Sequence, residues 1–269
     1  MHEPSKSKAL EAVMQDQGEG QQALARTGEQ GSVLDALEHL ELDVLQRYCE
    51  DITINGVIAQ TVSIKLGQGQ SIWASRGSLL AYSDAIDWTL KVPGGAGKAV
   101  GRMLSGEGAS LTYVTAKRPG AEVVLSANQS GKLVTWDLSR GPIVCTSGSF
   151  LAALGDVDIE VTVARSAGAA LFGGAGLFMQ KLSGTGIVLI HGAGDFIEKQ
   201  LAPGEKLLVS TGNLAVFSAD VNYNVRSVGG CLKSIFGGEG LFMTEMSGPG
   251  WVMLQSLKKL PVQAQGMAT

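Results

Sequence analysis

The chain has 269 residues, of which 37 are glycine; 45% of the residues are hydrophobic and only 17% are charged. This composition supplies a sizeable core and excludes a wholly disordered protein. No run approaches the ~18 apolar residues of a transmembrane helix. Three histidines and three cysteines argue against most metal sites and against a disulfide framework.

Charge is distributed unevenly along the chain. Residues 1–50 carry four bases and ten acids, whereas the remaining 219 residues carry 17 bases and 15 acids. The nearly neutral body has no Lys/Arg cluster, so a nucleic-acid partner is not expected. The N-terminus lacks a secretory pattern, and the scattered cysteines are typical of a reducing compartment. We therefore expect a cytoplasmic location, with a mitochondrial one as the alternative for a eukaryotic source.

The N-terminal arm divides into two predicted segments. Residues 1–31 are polar and acidic and predict a disordered tail. Over residues 32–48, apolar side chains recur every three or four positions, which predicts an amphipathic helix. We expect this helix to pack its apolar stripe on the body, and a partner-binding or oligomerising helix is the alternative. Its polar side is acidic, unlike that of a membrane-surface helix.

The body, residues 49–258, is predicted to be all-β. Period-two alternation marks strands at Ile52–Ile54, Val62–Leu66, Val157–Val163, Ile187–Ile190 and Val221–Val225. No helical pattern of 10–15 residues alternates with them, which disfavours a parallel βαβ sheet.

The body also contains an internal repeat. Residues 148–190 and 212–254, offset by 64, share 15 identities over 43 ungapped positions. A more divergent copy begins at Gly77-Ser-Leu-Leu80, which matches Gly148-Ser-Phe-Leu151 at an offset of 71. We therefore predict three β-sandwich units, at about 49–125, 126–190 and 191–257, related by pseudo-threefold symmetry and followed by a tail, 259–269. In the last unit, Ser247-Gly-Pro-Gly250 is predicted to turn a hairpin.

Several segments resemble a known family. The run Gly237-Gly-Glu-Gly-Leu-Phe242, followed by Ser247-Gly-Pro-Gly-Trp-Val-Met-Leu-Gln-Ser256, is similar to the closing signature of the altered-inheritance-of-mitochondria protein family. Residues 60–70 and 74–80 resemble its opening, so the resemblance covers about residues 49–257. It implies a fold like that of the trp RNA-binding attenuation protein, a short double-stranded β-helix present three times. It also implies a link to inner-membrane organisation in fungal mitochondria, and the family as a whole has no established enzyme activity.

Candidate catalytic motifs are incomplete. His191-Gly-Ala-Gly194 resembles a lipase oxyanion loop, but the chain has no Gly-x-Ser-x-Gly, so we interpret His191 as a turn residue. The loop at 94–98 lacks the P-loop pattern, because Val92 and Ala99 replace the required glycine and hydroxyl. A cupin-like metal enzyme needs several histidines, and His191 is the only one in the body. We predict no catalytic residue, no metal and no cofactor.

Two further patterns repeat between the units. Asp156 and Asp220 occupy matched positions and are interpreted as turn or strand-end residues. Four phenylalanines flank the glycine-rich corners at 173–176 and 237–240: Phe172, Phe178, Phe236 and Phe242. They either fill the core or form an exposed interaction surface.

The predicted function is that of a non-enzymatic scaffold or interaction protein acting in membrane organisation, with a protein or a membrane surface as its partner. A ligand- or RNA-binding module is the alternative, borrowed from the fold resemblance. The sequence does not specify the oligomeric state.

Overall fold

A computed structural model describes residues 42–93, 110–146, 148–164, 177–227 and 242–258, and β-strands make up most of these ranges. The all-β prediction is therefore confirmed. Helix α1 (Leu42–Leu45) precedes the strands, and the turn after it ends at Tyr48. Val44, Leu45 and Tyr48 pack on the body. Residues 1–41, which hold the predicted tail and most of the predicted helix, lie outside the described residues, as does the tail 259–269.

The strands follow one another at short intervals. They are β1 (Asp51–Asn55), β2 (Thr61–Leu66), β3 (Ser71–Ala74), β4 (Leu79–Tyr82), β5 (Ile86–Lys91), β6 (Leu111–Ala116), β7 (Ala121–Ser126), β8 (Gly131–Asp137), β9 (Ile143–Thr146), β10 (Phe150–Ala164), β11 (Leu177–Ala193), β12 (Phe196–Leu201), β13 (Lys206–Ser210), β14 (Leu214–Ser218), β15 (Asn222–Ser227), β16 (Phe242–Ser247) and β17 (Gly250–Gln255). Short 3-10 turns lie at Leu138–Arg140 and Thr211–Asn213.

These strands form three antiparallel sheets. One has four strands in the order β1-β2-β7-β4, and another has three in the order β13-β16-β15. The largest runs β12-β17-β14-β9-β11-β10-β3-β6-β5, with β8 also paired to β11. The long strands β10 and β11 connect β12, β17, β14 and β9 on one side of this sheet to β3, β6 and β5 on the other.

The pairing follows one scheme in three consecutive groups of strands. In group one (β2–β7), the first strand pairs with the sixth, the second with the fifth, the third with the sixth and the fourth with the fifth. Group three (β12–β17) follows the same scheme. Group two (β8–β11) has four strands. Its long strand β10 takes the third and fourth positions, and β11 takes the fifth and sixth. A register shift follows Leu79, Phe150 and Leu214, positions that are separated by 71 and then 64 residues.

The groups join through their edges. The third strand of group two, the start of β10, pairs with β3, the second strand of group one. In the same way β14, the third strand of group three, pairs with β9, the second strand position of group two. Both junctions are therefore built from the same two strand positions.

Three clusters of buried side chains form the core. The first includes Ile64, Val114 and Leu154, from groups one and two. The second includes residues of all three groups, and the third, which holds Val144 and Phe217, draws on groups two and three. Alternating inward positions of facing strands supply these side chains, as in other β-sandwiches.

The predicted hairpin at Ser247–Gly250 is wrong. Strand β16 pairs with β13 and β15, whereas β17 pairs with β12 and β14, so residues 248 and 249 carry the chain from one sheet to another. Gly248 suits this crossing because a Cβ there would lie 2.7 Å from the carbonyl oxygen of Leu201. A glycine-proline turn between two strands has the same sequence pattern in a hairpin and in a crossing between sheets.

Candidate interaction surface

His191 occupies a different place from the predicted turn. It lies inside β11, opposite Leu133, and is buried; its backbone N–H donates to the Ser149 carbonyl at 2.8 Å. The glycine that follows serves packing, because a Cβ at Gly192 would collide with the Phe196 ring. The predicted turn at His191 is therefore wrong, because a glycine required for close packing within a strand has the same sequence pattern as a turn glycine.

The possible metal ligands of the described residues lie apart from one another. Among the described residues, no three His, Cys, Asp or Glu side chains come together to hold a metal ion. Asp220 lies in the turn before β15, as predicted, whereas Asp156 lies within β10 opposite Thr185, which corrects its prediction as a turn or strand-end residue. The preceding Gly155 has φ +93°, and β10 continues through it without a register shift.

The structure describes two cysteines, Cys49 and Cys145, and both side chains are buried thiols. Burial raises the pKa of the Cys49 thiol from an ordinary 9.0 to about 11, and the charge of Asp51 adds to this rise. A thiol with a raised pKa is protonated at neutral pH and is a poor nucleophile. Cys231 lies outside the described residues.

The predicted phenylalanine surface is placed only in part. Phe178 lies opposite Val163 on β11, and Phe242 lies opposite Ser227 on β16, and the structure describes their backbones alone. Phe172 and Phe236 fall outside the described residues, as do the glycine-rich corners and the loop at 94–98. The proposed role of these aromatic side chains therefore stays a prediction.

A different apolar feature stands at the β1–β2 hairpin. Val57 and Ile58, which we call the hairpin tip, are 75% and 78% exposed, the highest values among the large exposed apolar side chains of the described residues. No charged residue occurs from Ile52 to Ile64. Sequence reasoning missed the tip, although an Asn-Gly pair followed by two apolar residues between strands is a readable signal for an apolar turn.

The base of this hairpin is fixed to the body. The Gln60 N–H donates to the Gly131 carbonyl at 3.0 Å, and the Gln60 side-chain oxygen accepts from the Leu133 N–H at 2.7 Å. Gly56, with φ +90°, forms the turn, where a Cβ would lie 2.9 Å from the Ala59 carbonyl oxygen. The hydrogen bonds hold the base while Val57 and Ile58 project into water.

Strand edges expose further apolar side chains. Leu80 and Tyr82 lie on β4, which ends the four-stranded sheet, and Leu208 lies on β13, which ends the three-stranded sheet. Trp88 and Leu90 are exposed on β5, at one end of the largest sheet.

Four basic side chains of the described residues each have an acidic partner within the chain. Exposed ion pairs join Lys65 to Asp51, Lys117 to Asp87, Arg118 to Asp84 and Lys206 to Glu245. Exposed pairs of this kind contribute little to stability. They also place an acid beside each of these bases, which lowers the local positive potential.

The β-strand body of this chain matches a known protein family. The family model described as mitochondrial biogenesis AIM24 matches residues 52–257. The chain belongs to this family. The resemblance drawn from residues 49–257 is thereby confirmed, and the match covers every strand from β2 to β17.

Two proteins of Streptococcus pyogenes are similar to this AIM24-family chain. Uncharacterized protein M6_Spy0233 of serotype M6 is 29% identical over 204 residues, which cover 73% of this chain and 81% of the relative. The crystal structure of protein SPYM3_0169 matches with a TM-score of 0.65 and 24% identity, over 80% of this chain and 96% of that one. This structural likeness supports the fold. No helix in the described part of the chain has the length and apolarity needed to cross a membrane.

Proposed function

We propose that this chain is a non-enzymatic scaffold that attaches to a lipid membrane surface through its hairpin tip, Val57 and Ile58. The observation that carries the proposal is the exposure of two adjacent large apolar side chains on a loop whose base is hydrogen-bonded to the body. Contiguous exposed apolar side chains mark interaction sites on soluble proteins.

A membrane interface suits the chemistry of this hairpin. The segment from Ile52 to Ile64 carries no charge, so no ionised side chain has to lose its hydration when the tip enters the headgroup region. Burial of a valine or isoleucine side chain contributes at most about 1.5–3 kcal/mol, so two of them give weak, reversible attachment.

The proposed scaffold consists of three copies of one unit, corresponding to groups one, two and three. Support comes from the shared pairing scheme and from register shifts separated by the same 71 and 64 residues as the sequence repeat. Units that pair along their edges and share buried side chains stabilise one another. They therefore hold the hairpin tip on a rigid body.

Three expectations from the sequence accompany this proposal. We propose no enzymatic activity, because no candidate motif in the sequence has its required companions. The locally paired charges support a lipid or protein partner over RNA. A cytoplasmic membrane face is the location we propose, with a mitochondrial one for a eukaryotic source.

The test is co-sedimentation of the full chain with liposomes of neutral and of anionic lipids. We expect the wild type to sediment with both, and Val57→Ser/Ile58→Ser to lose on the order of tenfold or more in affinity. The matched control is Leu90→Ser, which removes an exposed apolar side chain on β5 and should bind like the wild type. If the wild type fails to sediment with either lipid, the membrane proposal is wrong.

Parallel samples separate the alternatives. A protein retained from lysate by the wild type and lost from the double variant would replace the membrane with a protein partner, and retention of total RNA would favour the RNA-binding alternative. The variant Phe178→Ser/Phe242→Ser tests the predicted aromatic surface. Loss of folding would assign these side chains to the core, whereas loss of binding by a folded variant would assign them to the surface.

A further inference from the structure

Two edge strands, β4 and β13, occupy the same strand positions as the strands that form the two internal junctions. Those junctions pair a third strand with the second strand of the preceding group. Strand β4 is the third strand of group one, and β13 is the second strand of group three. Each ends its sheet and is paired along one side only within the described residues.

Exposure of equivalent residues marks these edges as incomplete. On the third strands, Leu80 is 62% exposed, whereas Leu151, its equivalent on β10, is 2% exposed. On the second strands, Leu208 is 59% exposed, whereas Val144, its equivalent on β9, is 7% exposed. Side chains that the internal junctions cover therefore stand in water at the two ends.

In the part of the chain that the structure describes, β4 and β13 of one chain do not pair with each other. The first core cluster contains no residue of group three, and the third contains none of group one, whereas the second receives side chains from both. Strands β4 and β13 also belong to separate sheets. Within the described residues, no strand of the same chain completes either edge.

We propose that β4 of one copy pairs antiparallel with β13 of a second copy, which repeats the internal junction between chains. The internal registers fix the new one by equivalence: Ala81 faces Val209, Tyr82 faces Leu208 and Ser83 faces Leu207. This inference rests on the three-copy architecture proposed above. The four-stranded and three-stranded sheets then merge into one seven-stranded sheet.

Apolar contact and charge both favour this pairing. Tyr82 and Leu208 are exposed in the single chain and become directly opposed, a cross-strand pair of the stabilising aromatic–aliphatic type. One position further along the register, Asp84 meets Lys206; both side chains are largely exposed and would join the ion pairs that they form in their own chains. Opposite charges at the end of an edge favour the correct register over its neighbours.

The contact is head-to-tail, so each added copy leaves a new β4 edge and a new β13 edge. Such heterologous contacts give a ring when the rotation closes and an open filament when it does not. Every copy also adds one hairpin tip, and several weak membrane contacts in one assembly raise the overall affinity.

Cross-linking tests the pairing and its register. Cys231→Ser is included throughout, so that Tyr82→Cys and Leu208→Cys each carry one added thiol beside the buried Cys49 and Cys145. The two single variants are mixed at about 100 µM and treated with a short bis-maleimide; opposed Cβ atoms in such a pair lie about 5 Å apart. We expect dimers in the mixture and none from either variant alone.

The double variant Tyr82→Cys/Leu208→Cys distinguishes one chain from two. Head-to-tail pairing predicts a ladder of dimers and higher oligomers. A cross-link confined to single chains, or no dimer in the mixture, would overturn the proposal. The control pair Leu90→Cys with Leu208→Cys places an exposed thiol on β5 and should give no dimers.

Sedimentation velocity without cross-linker tests the association itself. We expect the average mass of the wild type to rise with concentration, and Leu208→Lys to weaken association about tenfold or more, with Leu90→Lys unchanged. A wild type that stays monomeric at about 100 µM contradicts the inference. A monomeric wild type would contradict the pairing of β4 with β13 but not the binding of a single chain to lipid. A tip variant that still binds lipid would contradict the membrane proposal but not the association of chains.

Discussion

The ring of Tyr48 lies directly against the α-carbon of Gly155. A Cβ at residue 155 would come within 2.6 Å of Cε1 of Tyr48 and 2.8 Å of the Thr185 carbonyl oxygen. Gly155 also has a φ of +93°, which L side chains rarely adopt. The segment that follows α1 therefore packs on β10 at Gly155, so the start of the described chain contacts group two.

Replacing Gly155 should destabilise the protein by two routes. Gly155→Ala combines backbone strain with a steric clash, and we expect a loss of about 2–4 kcal/mol in the free energy of unfolding. Gly69→Ala is the control, because Gly69 has φ +80° and no atom near the added Cβ, so only strain of about 1–2 kcal/mol is expected. Urea denaturation measures both values. Equal losses for the two variants would show that the contact with Tyr48 has no energetic role.

Stability should fall at alkaline pH because of Cys49. The folded thiol has a pKa of about 11, above the ordinary 9.0, so it keeps its proton where the unfolded chain has lost it. The unfolded state then binds fewer protons, and stability is complete below pH 9 and declines as the pH rises toward 11. The decline amounts to about 2–3 kcal/mol at most. Denaturation from pH 8 to pH 11 should therefore give a flatter profile for Cys49→Ala than for the wild type, and identical slopes would contradict the assignment.

The second core cluster should be sensitive to loss of its paired tryptophans. The rings of Trp136 (β8) and Trp251 (β17) contact each other at an interplanar angle of 50°, with centroids 4.9 Å apart, and both side chains are buried. Trp251→Ala should cost about 3–5 kcal/mol, because it leaves a large cavity where groups two and three meet. Trp88→Ala, on the exposed edge strand β5, should cost less than about 1 kcal/mol. Similar thermal shifts for both variants would contradict this account of the core.

Strand positions were readable from the sequence because alternation at residues such as Val62, Ile64 and Leu66 places every second side chain inward. The connections were harder to read. Gly184, inside β11, and Gly248, between β16 and β17, occupy matched sequence positions, yet the first lies in a continuous strand and the second where the chain crosses between sheets. Local composition does not determine which strands a glycine-rich segment connects, since pairing is set by the distant strands on either side.

The candidate surface was predicted from the phenylalanines that repeat between the units. Repetition favours residues with a shared structural role, whereas the hairpin tip, Val57 and Ile58, lies in the loop before β2 and outside the compared segments. Exposure of a residue in a β-protein depends on whether another strand covers it. That is also why Leu80 and Leu151, although equivalent in sequence, differ in exposure.

Insertion of the hairpin tip into lipid is the central claim, and a polarity-sensitive fluorophore attached at Ile58→Cys measures it most directly. The variant carries Cys231→Ser, and the same fluorophore at Leu90→Cys serves as the control, since both side chains are exposed. On addition of liposomes we predict a blue shift at position 58 and quenching by lipids brominated in the upper acyl chain, with neither change at position 90. An unshifted, unquenched signal at position 58 under conditions in which the protein sediments with the liposomes would contradict the account.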